Sequence, residues 1–116
     1  MIKNETYFVD IDGTLIKYRK FQHLLSEKAQ PIKSVVKKVK EEYEKGSHIV
    51  ITSARPEIFR DFTKKELKDI GVQYHQLILG IGRGARVIIN DKDPDYPKEK
   101  RAIGINLVRD KGIQKW

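Results

Sequence analysis

Three short apolar runs in this sequence each end in oxygen-bearing side chains. Tyr7-Phe8-Val9 leads into Asp10-Ile11-Asp12, Ile49-Val50-Ile51 into Thr52-Ser53, and Val87-Ile88-Ile89 into Asn90-Asp91. Carboxylates at i and i+2 of an extended chain point to the same side. Like charges that close are costly unless a hard cation neutralises them, and oxygen-only ligands of this kind suit Mg²⁺. A neighbouring hydroxyl could donate to a phosphate oxygen. Asp-Gly is also an ordinary turn signal, so Asp10-x-Asp12-Gly13 alone says little. Its weight comes from the repetition of acids and hydroxyls at three separate run ends.

The elements that must position these groups follow from the apolar pattern. Residues 6–11 and 48–53 read as short buried strands, the second nearly continuous in apolar residues, as in a parallel strand covered on both faces. Ile32, Val35, Val36, Val39 and Tyr43 fall at the spacing of an amphipathic helix after Pro31, and Gly46 ends it. A helical stretch follows Arg55-Pro56 and closes at Gly71; Thr63 and Glu66 have the spacing of a capping box. Residues 76–80, 86–90 and 102–107 read as further strands, and 15–29 as an irregular excursion with a short helix near 21–26. Alternating strands and helices predict an α/β, three-layer Rossmann-like fold with a mainly parallel five-stranded sheet. In such sheets reactive residues gather beyond the carboxyl ends of the strands, the end each of the three pairs occupies.

Composition narrows the classes. At 116 residues the chain has room for one domain, 1–116. It has no cysteine, which excludes disulfides, thiolate metal sites and a cysteine nucleophile. Lys and Arg number 24 against 16 Asp and Glu, a formal charge of +8. That charge suits either simple solubility or a phosphorylated partner, nucleic acid included. No stretch approaches the ~20 apolar residues of a membrane span, and MIKNETYFVDID has no signal-like apolar region. The expectation is a soluble, cytoplasmic protein without a membrane partner.

Phe8-Val9-Asp10-Ile11-Asp12-Gly13-Thr14-Leu15 resembles the first motif of the haloacid dehalogenase-like superfamily. Residues 49–56, Ile-Val-Ile-Thr-Ser-Ala-Arg-Pro, are similar to its second motif, and 87–91, Val-Ile-Ile-Asn-Asp, to its fourth. The order and spacing agree over nearly the whole chain. The resemblance implies a phosphatase in which Asp10 is the nucleophile, forming an aspartyl-phosphate, and Asp12 the general acid and base. It implies Mg²⁺ held by the Asp10 carboxylate, the Asp12 carbonyl and Asp91. Ser53, with Thr52 the alternative, would bond the transferred phosphoryl group beside Ala54 and Arg55. Thr14 would position Asp12, and Gly13 would permit the tight turn.

Two departures stand out. The third motif is normally a lysine near the fourth strand, and here the cations in that region are Arg83 and Arg86. Arg83 is preferred, since Arg86 at the start of a five-residue strand would lie roughly 15 Å below its end; Lys64 and Lys65 remain alternatives. Asn90 stands where some relatives have a second Asp, and Asp93 could contribute through water. The gaps between motifs, 15–47 and 54–86, leave no space for the cap domain of many relatives. An open site is therefore expected, covered by a large substrate or by a neighbouring subunit in a homo-oligomer. The favoured substrate is a phosphorylated small molecule such as a sugar phosphate.

Other readings fit less well. Gly80-x-Gly82-x-Gly84 precedes a strand, whereas a dinucleotide fingerprint opens a helix. Calcium loops of the EF-hand type need further acids. Signalling receivers present their acids and hydroxyl in a different order. The remaining alternatives are a phosphatase acting on nucleic-acid termini and a binding or regulatory module that retains the fold without the activity.

Overall fold

In the computed structural model, residues 4–114 are described. β1 (Thr6–Asp10), β2 (His48–Thr52) and β3 (Gln76–Ile78) form one parallel sheet in the order β1-β2-β3. α1 (Lys33–Glu44) connects the first two, and α2 (Arg60–Asp69) the last two. Short 3-10 turns lie at Phe21–His23 and Glu57–Phe59. Val35 and Val39 of α1 and Leu67 of α2 share one core with Val9, Ile49 and Ile51, so both helices lie on one face of the sheet, as two crossovers of the same hand stepping the same way require.

The register explains which residues that face buries. Val9, Ile51 and Leu77 lie side by side, as do Phe8, Val50 and Gln76 one residue earlier. The first row and its neighbours join the core: Val9, Ile49 and Ile51 pack with Val35, Val39, Leu67 and Val72. The second row points the other way. Phe8 there is 57% exposed and Ile78, two residues beyond Gln76, is 41% exposed. The expected three-layer arrangement is thus reduced, among the described residues, to a sheet with helices on one face.

Among the described residues the sheet has three strands, where five were expected. Residues 86–90 and 102–107 carry no strand pairing, and nearly everything from 82 to 106 is exposed. The reason is the length of the connection. A parallel strand needs a crossover of a dozen or more residues, and only 79–85 separate β3 from Arg86. These residues form an arm instead. Its two limbs meet where Asn90 donates to the Arg101 carbonyl at 3.0 Å and Asp91 pairs with Arg101 at 3.1 Å. The chain returns at Leu107, which packs on the core.

Local chemistry sets the helix ends. α1 begins after Ile32, one residue beyond Pro31, and Gly46 just past its end has φ +97°. Thr63 and Glu66 do not form the expected capping box: the N-cap of α2 is Phe59, without a side-chain bond, and both residues turn inward. His48, His75 and Tyr43 stack at the edge opposite the acids, with ring separations of 4.5 and 4.9 Å.

Glu42 near the end of α1 is buried and bonded to Ser47, Lys38 and Lys45. Burial opposes its charge, but the lysines and Ser47 outweigh that and pull its carboxyl down to about 2. A folded-state value below the unfolded ~4.3 gives stability that is present above that value and lost as pH falls toward 2. Urea denaturation from pH 6 to pH 2.5 is therefore expected to show a steep loss below pH 4.5, and Glu42→Gln to be less stable at pH 6 and to flatten that slope.

Candidate active site

The loop after β1 is built on one carbonyl. Ile11 accepts from the backbone N–H groups of Thr14, Leu15 and Ile16 at 2.8–3.1 Å, and its own side chain is fully buried. Gly13 has φ +89°, and a Cβ there would lie 3.1 Å from the Arg109 side chain, so both backbone and space call for glycine. Thr14 Oγ1 donates to Asp10 Oδ2 at 3.2 Å, so it positions Asp10 rather than Asp12. The C-terminal segment straps this loop in place: the Asp110 N–H donates to the Gly13 carbonyl at 2.9 Å, and its carboxylate accepts from the Tyr18 N–H at 2.7 Å.

A cleft of about 300 Å³ opens at this end of the sheet. Its floor holds Asp10, Asp12, Ser53, Ala54 and Arg55. Arg83, Arg86 and Arg109 supply cations, and Tyr18, Arg19, Phe21 and Leu24 form a wall from the excursion after β1. Burial pushes the Asp10 carboxyl above its ordinary value, and the Asp12 charge adds to this. Hydrogen bonds from Thr14 and the Ile11 backbone and the charge of Arg86 act in the other direction. Ser53 is buried, and its Oγ accepts from the Arg55 N–H at 3.0 Å, which leaves the hydroxyl proton to donate elsewhere. Thr52, the alternative hydroxyl, pairs with Asp10 in the sheet register and does not line the cleft.

Arg55 does not serve the cleft as a free substrate cation. It is 4% exposed, and Nε and Nη2 grip Asp12 in a bidentate pair at 3.0 and 2.8 Å. Nη1 donates to Thr63 at 3.1 Å and Glu66 at 2.9 Å. Glu66 also accepts from Arg19 Nη2 at 2.9 Å, and Arg19 Nη1 reaches the Leu24 and Glu27 carbonyls. Buried Arg19 Nε has no hydrogen-bond partner. Burial works against the Arg55 charge, and the bonds and charges of Asp12 and Glu66 outweigh it, raising its pKa further.

This Asp12–Arg55–Glu66–Arg19 chain was not visible in the sequence. Arg19 sits within Lys17-Tyr18-Arg19-Lys20, which reads as a solvated charge run, and Glu66 reads as a cap. The signal available was the helical spacing of Thr63 and Glu66, which share a face of α2. Arg109 and its contact with Tyr18, 4.2 Å from guanidinium to ring centroid, follow from the return of the tail.

Asp91 is not among these residues. It is paired with Arg101 in the exposed arm, its side chain 72% exposed. Asn90 and Asp93 lie in the same arm and do not line the cleft. Among the described residues no group of three His, Asp or Glu side chains could hold a metal. One copy of the chain supplies Asp10 and the Asp12 main chain for the Mg²⁺ that the resemblance implies, and not the third acid, so the set is incomplete for that ion. Lys64 and Lys65 line a separate depression with Lys40 and Lys68, outside the cleft.

Comparison with known proteins adds the fold. No family model matches the chain, and no curated protein does. A crystal structure of a Vibrio cholerae protein is similar, with a TM-score of 0.51 at 19% identity, over 83% of this chain and 89% of that one.

The buried network makes a stability test. Removing Arg55 strands Asp12 without its counter-charge and leaves Glu66 with Arg19 alone, a loss of about 3–5 kcal/mol for a buried pair. Lys65–Asp69 is an exposed pair worth at most about 0.5 kcal/mol. Urea unfolding is expected to show a large drop in midpoint for Arg55→Ala and almost none for Lys65→Ala.

Proposed function

We propose that this protein is a phosphomonoester phosphatase that works through an aspartyl-phosphate on Asp10. The observation that carries the reading is the cleft itself: a half-buried carboxylate at a strand end, with Ser53 beside it and three arginines around it. Phosphoryl transfer asks for little else than a placed nucleophile and fixed positive charge. A Rossmann-like sheet and the resemblance of residues 8–15 support it. Mg²⁺ is the cofactor proposed, and the Asp10 carboxylate and Asp12 carbonyl would supply two of its ligands.

In the first step an Asp10 Oδ–P bond forms and the bond from phosphorus to the substrate oxygen breaks. In the second, water attacks the aspartyl-phosphate, releasing inorganic phosphate and restoring the carboxylate. The net reaction consumes one water and yields the alcohol and phosphate. Arg83, Arg86 and Arg109 would bind and orient the phosphoryl oxygens, and Ser53 would donate to one of them. The pair with Arg55 fixes the orientation of the Asp12 carboxylate, which would accept a proton from the attacking water. An alkoxide leaving group needs that proton returned, whereas a phenolate departs without it. Arg55 is a positioning residue here, acting through Asp12.

The site is open, since neither the 11–47 nor the 53–75 segment holds a further domain. Tyr18 and Phe21, 40% and 49% exposed, would meet the substrate's organic part. A sugar phosphate or similar metabolite fits a cleft of about 300 Å³. The finer expectation of five strands also belongs to this reading, as strands completed by another chain.

The test is release of phosphate from an aryl and an alkyl phosphate, with Mg²⁺ and with chelator. Wild type is expected to be active only with Mg²⁺, and Asp10→Asn to lose activity by at least ~10³-fold. Asp12→Asn should cost more on the alkyl than on the aryl substrate. Activity that survives Asp10→Asn, or none in wild type, overturns the reading.

A further inference from the structure

The arm is the part of the molecule that a single copy leaves unexplained. Val87, Ile88 and Ile89 are 81%, 50% and 95% exposed, and Ile103 and Ile105 are 59% and 42% exposed. A continuous apolar run followed by an alternating one, Ile103, Ile105 and Leu107, is the pattern of an inner strand and an outer one. The radius of gyration is 15.1 Å with extents of 51 × 27 × 26 Å, against about 13 Å for this many residues packed evenly. The other unexplained feature is β1. Among the described residues it pairs with β2 alone, so its outer edge leaves backbone donors and acceptors unpaired there, beside an exposed Phe8. Flat apolar edges of this kind are templates for another strand.

The arm cannot fill that edge in its own copy. Both of its roots lie at the cleft: Arg83 and Arg86 where it leaves, Arg109 where it returns. To run parallel to β1 it would have to start at the opposite edge of the sheet, beyond the reach of residues 79–85 as a crossover. Folding back beside β3 would carry Asp91 to the edge away from Asp10. A second copy escapes both limits. With its sheet inverted alongside, its arm leaves at the level of the first copy's Thr6 and runs up along β1. Residues 86–90 number five, as does β1. At ~3.3 Å per residue both span about 17 Å, so the limb ends with Asp91 beside Asp10.

We propose that the protein is an arm-exchanged dimer in which residues 86–90 of each copy pair in parallel with β1 of the other, delivering Asp91 to the partner's Asp10. The exchange is isologous, so one two-fold axis completes both sites. It covers Phe8, Val87 and Ile89, and it supplies the acid that one copy lacks. The purpose given to Asp91 rests on the phosphatase reading; the strand pairing does not.

Because the chain has no cysteine, paired cysteines report the contact directly. Phe8 and Ile88 fall opposite each other in this register. Phe8→Cys protein and Ile88→Cys protein, mixed, unfolded, refolded together and oxidised, are expected to give a cross-linked species of twice the chain mass, and neither alone to give it. Light scattering should find wild type as a dimer and Val87→Asp/Ile89→Asp as a monomer that keeps the helical far-ultraviolet bands of α1 and α2. For the site, Asp10→Asn and Asp91→Asn proteins are each expected to be inactive. Refolded together, they should recover about a quarter of wild-type activity, since half of the dimers are mixed and one of their two sites is intact. A monomeric wild type, or no mixed cross-link, overturns the exchange even if phosphatase activity is found. A mixed cross-link in a protein without phosphatase activity upholds the pairing and removes the phosphatase reading. Activity of Asp91→Asn equal to wild type overturns the delivery of Asp91.

Discussion

The bidentate grip of Arg55 on Asp12 is the constraint on which the rest of this small domain depends. It ties the loop after β1 to the end of β2, and through Glu66 and Thr63 it ties both to α2. Ionic groups buried this way gain little over an apolar core, because desolvation offsets most of the attraction. What they do is fix geometry: a guanidinium fork satisfied on every side admits one arrangement of its partners. A three-stranded sheet with helices on one face has few apolar layers to align its catalytic loop. The polar chain supplies that alignment, at the point where Asp10 must be held.

The same grip redistributes the charges available to a ligand. With Arg55 committed to Asp12 and Glu66, and Arg19 to Glu66, the cations that can meet a phosphate are Arg83, Arg86 and Arg109. All three sit where the arm leaves and rejoins the body. Arg86 Nη1 donates to the Gly82 and Gly84 carbonyls, which curls the arm's root back toward the cleft. Whatever sets the direction of the arm therefore also sets the phosphate-facing charge.

The sequence made the elements before residue 80 legible because their signals are local. The strands at 6–11 and 48–53, the amphipathic helix after Pro31 and the glycine at 46 each reflect period or backbone chemistry within a few residues. Ser53 and Asp10 were legible as strand-end groups for the same reason. What was not legible depends on distance. The apolar run 87–89 carries a true strand signal, yet pattern says nothing about whether a connection is long enough to bring a strand into its own sheet. Arg19 and Glu66 carry local meanings, a charge run and a cap, that a contact across 47 residues replaces. Gly13 was expected to allow a turn, and it does, but the close approach of Arg109 depends on a tail whose course no local signal described.

The formal charge of +8 is best understood at the same scale. Exposed lysines spread over α1 and α2 contribute a diffuse field that ordinary salt screens beyond about 8–10 Å. The three arginines at the cleft act at contact distance, in a part of the surface walled by Tyr18, Phe21 and Leu24, where the effective dielectric is lower and each charge counts for more. Excess charge alone would favour any polyanion. Charge concentrated at the roots of an arm, next to a half-buried carboxylate that burial already pushes toward its neutral form, favours a small dianion that can sit between the two. Such a ligand relieves the arginines' mutual repulsion, and the arginines in turn stabilise the carboxylate in the charged form a nucleophile needs.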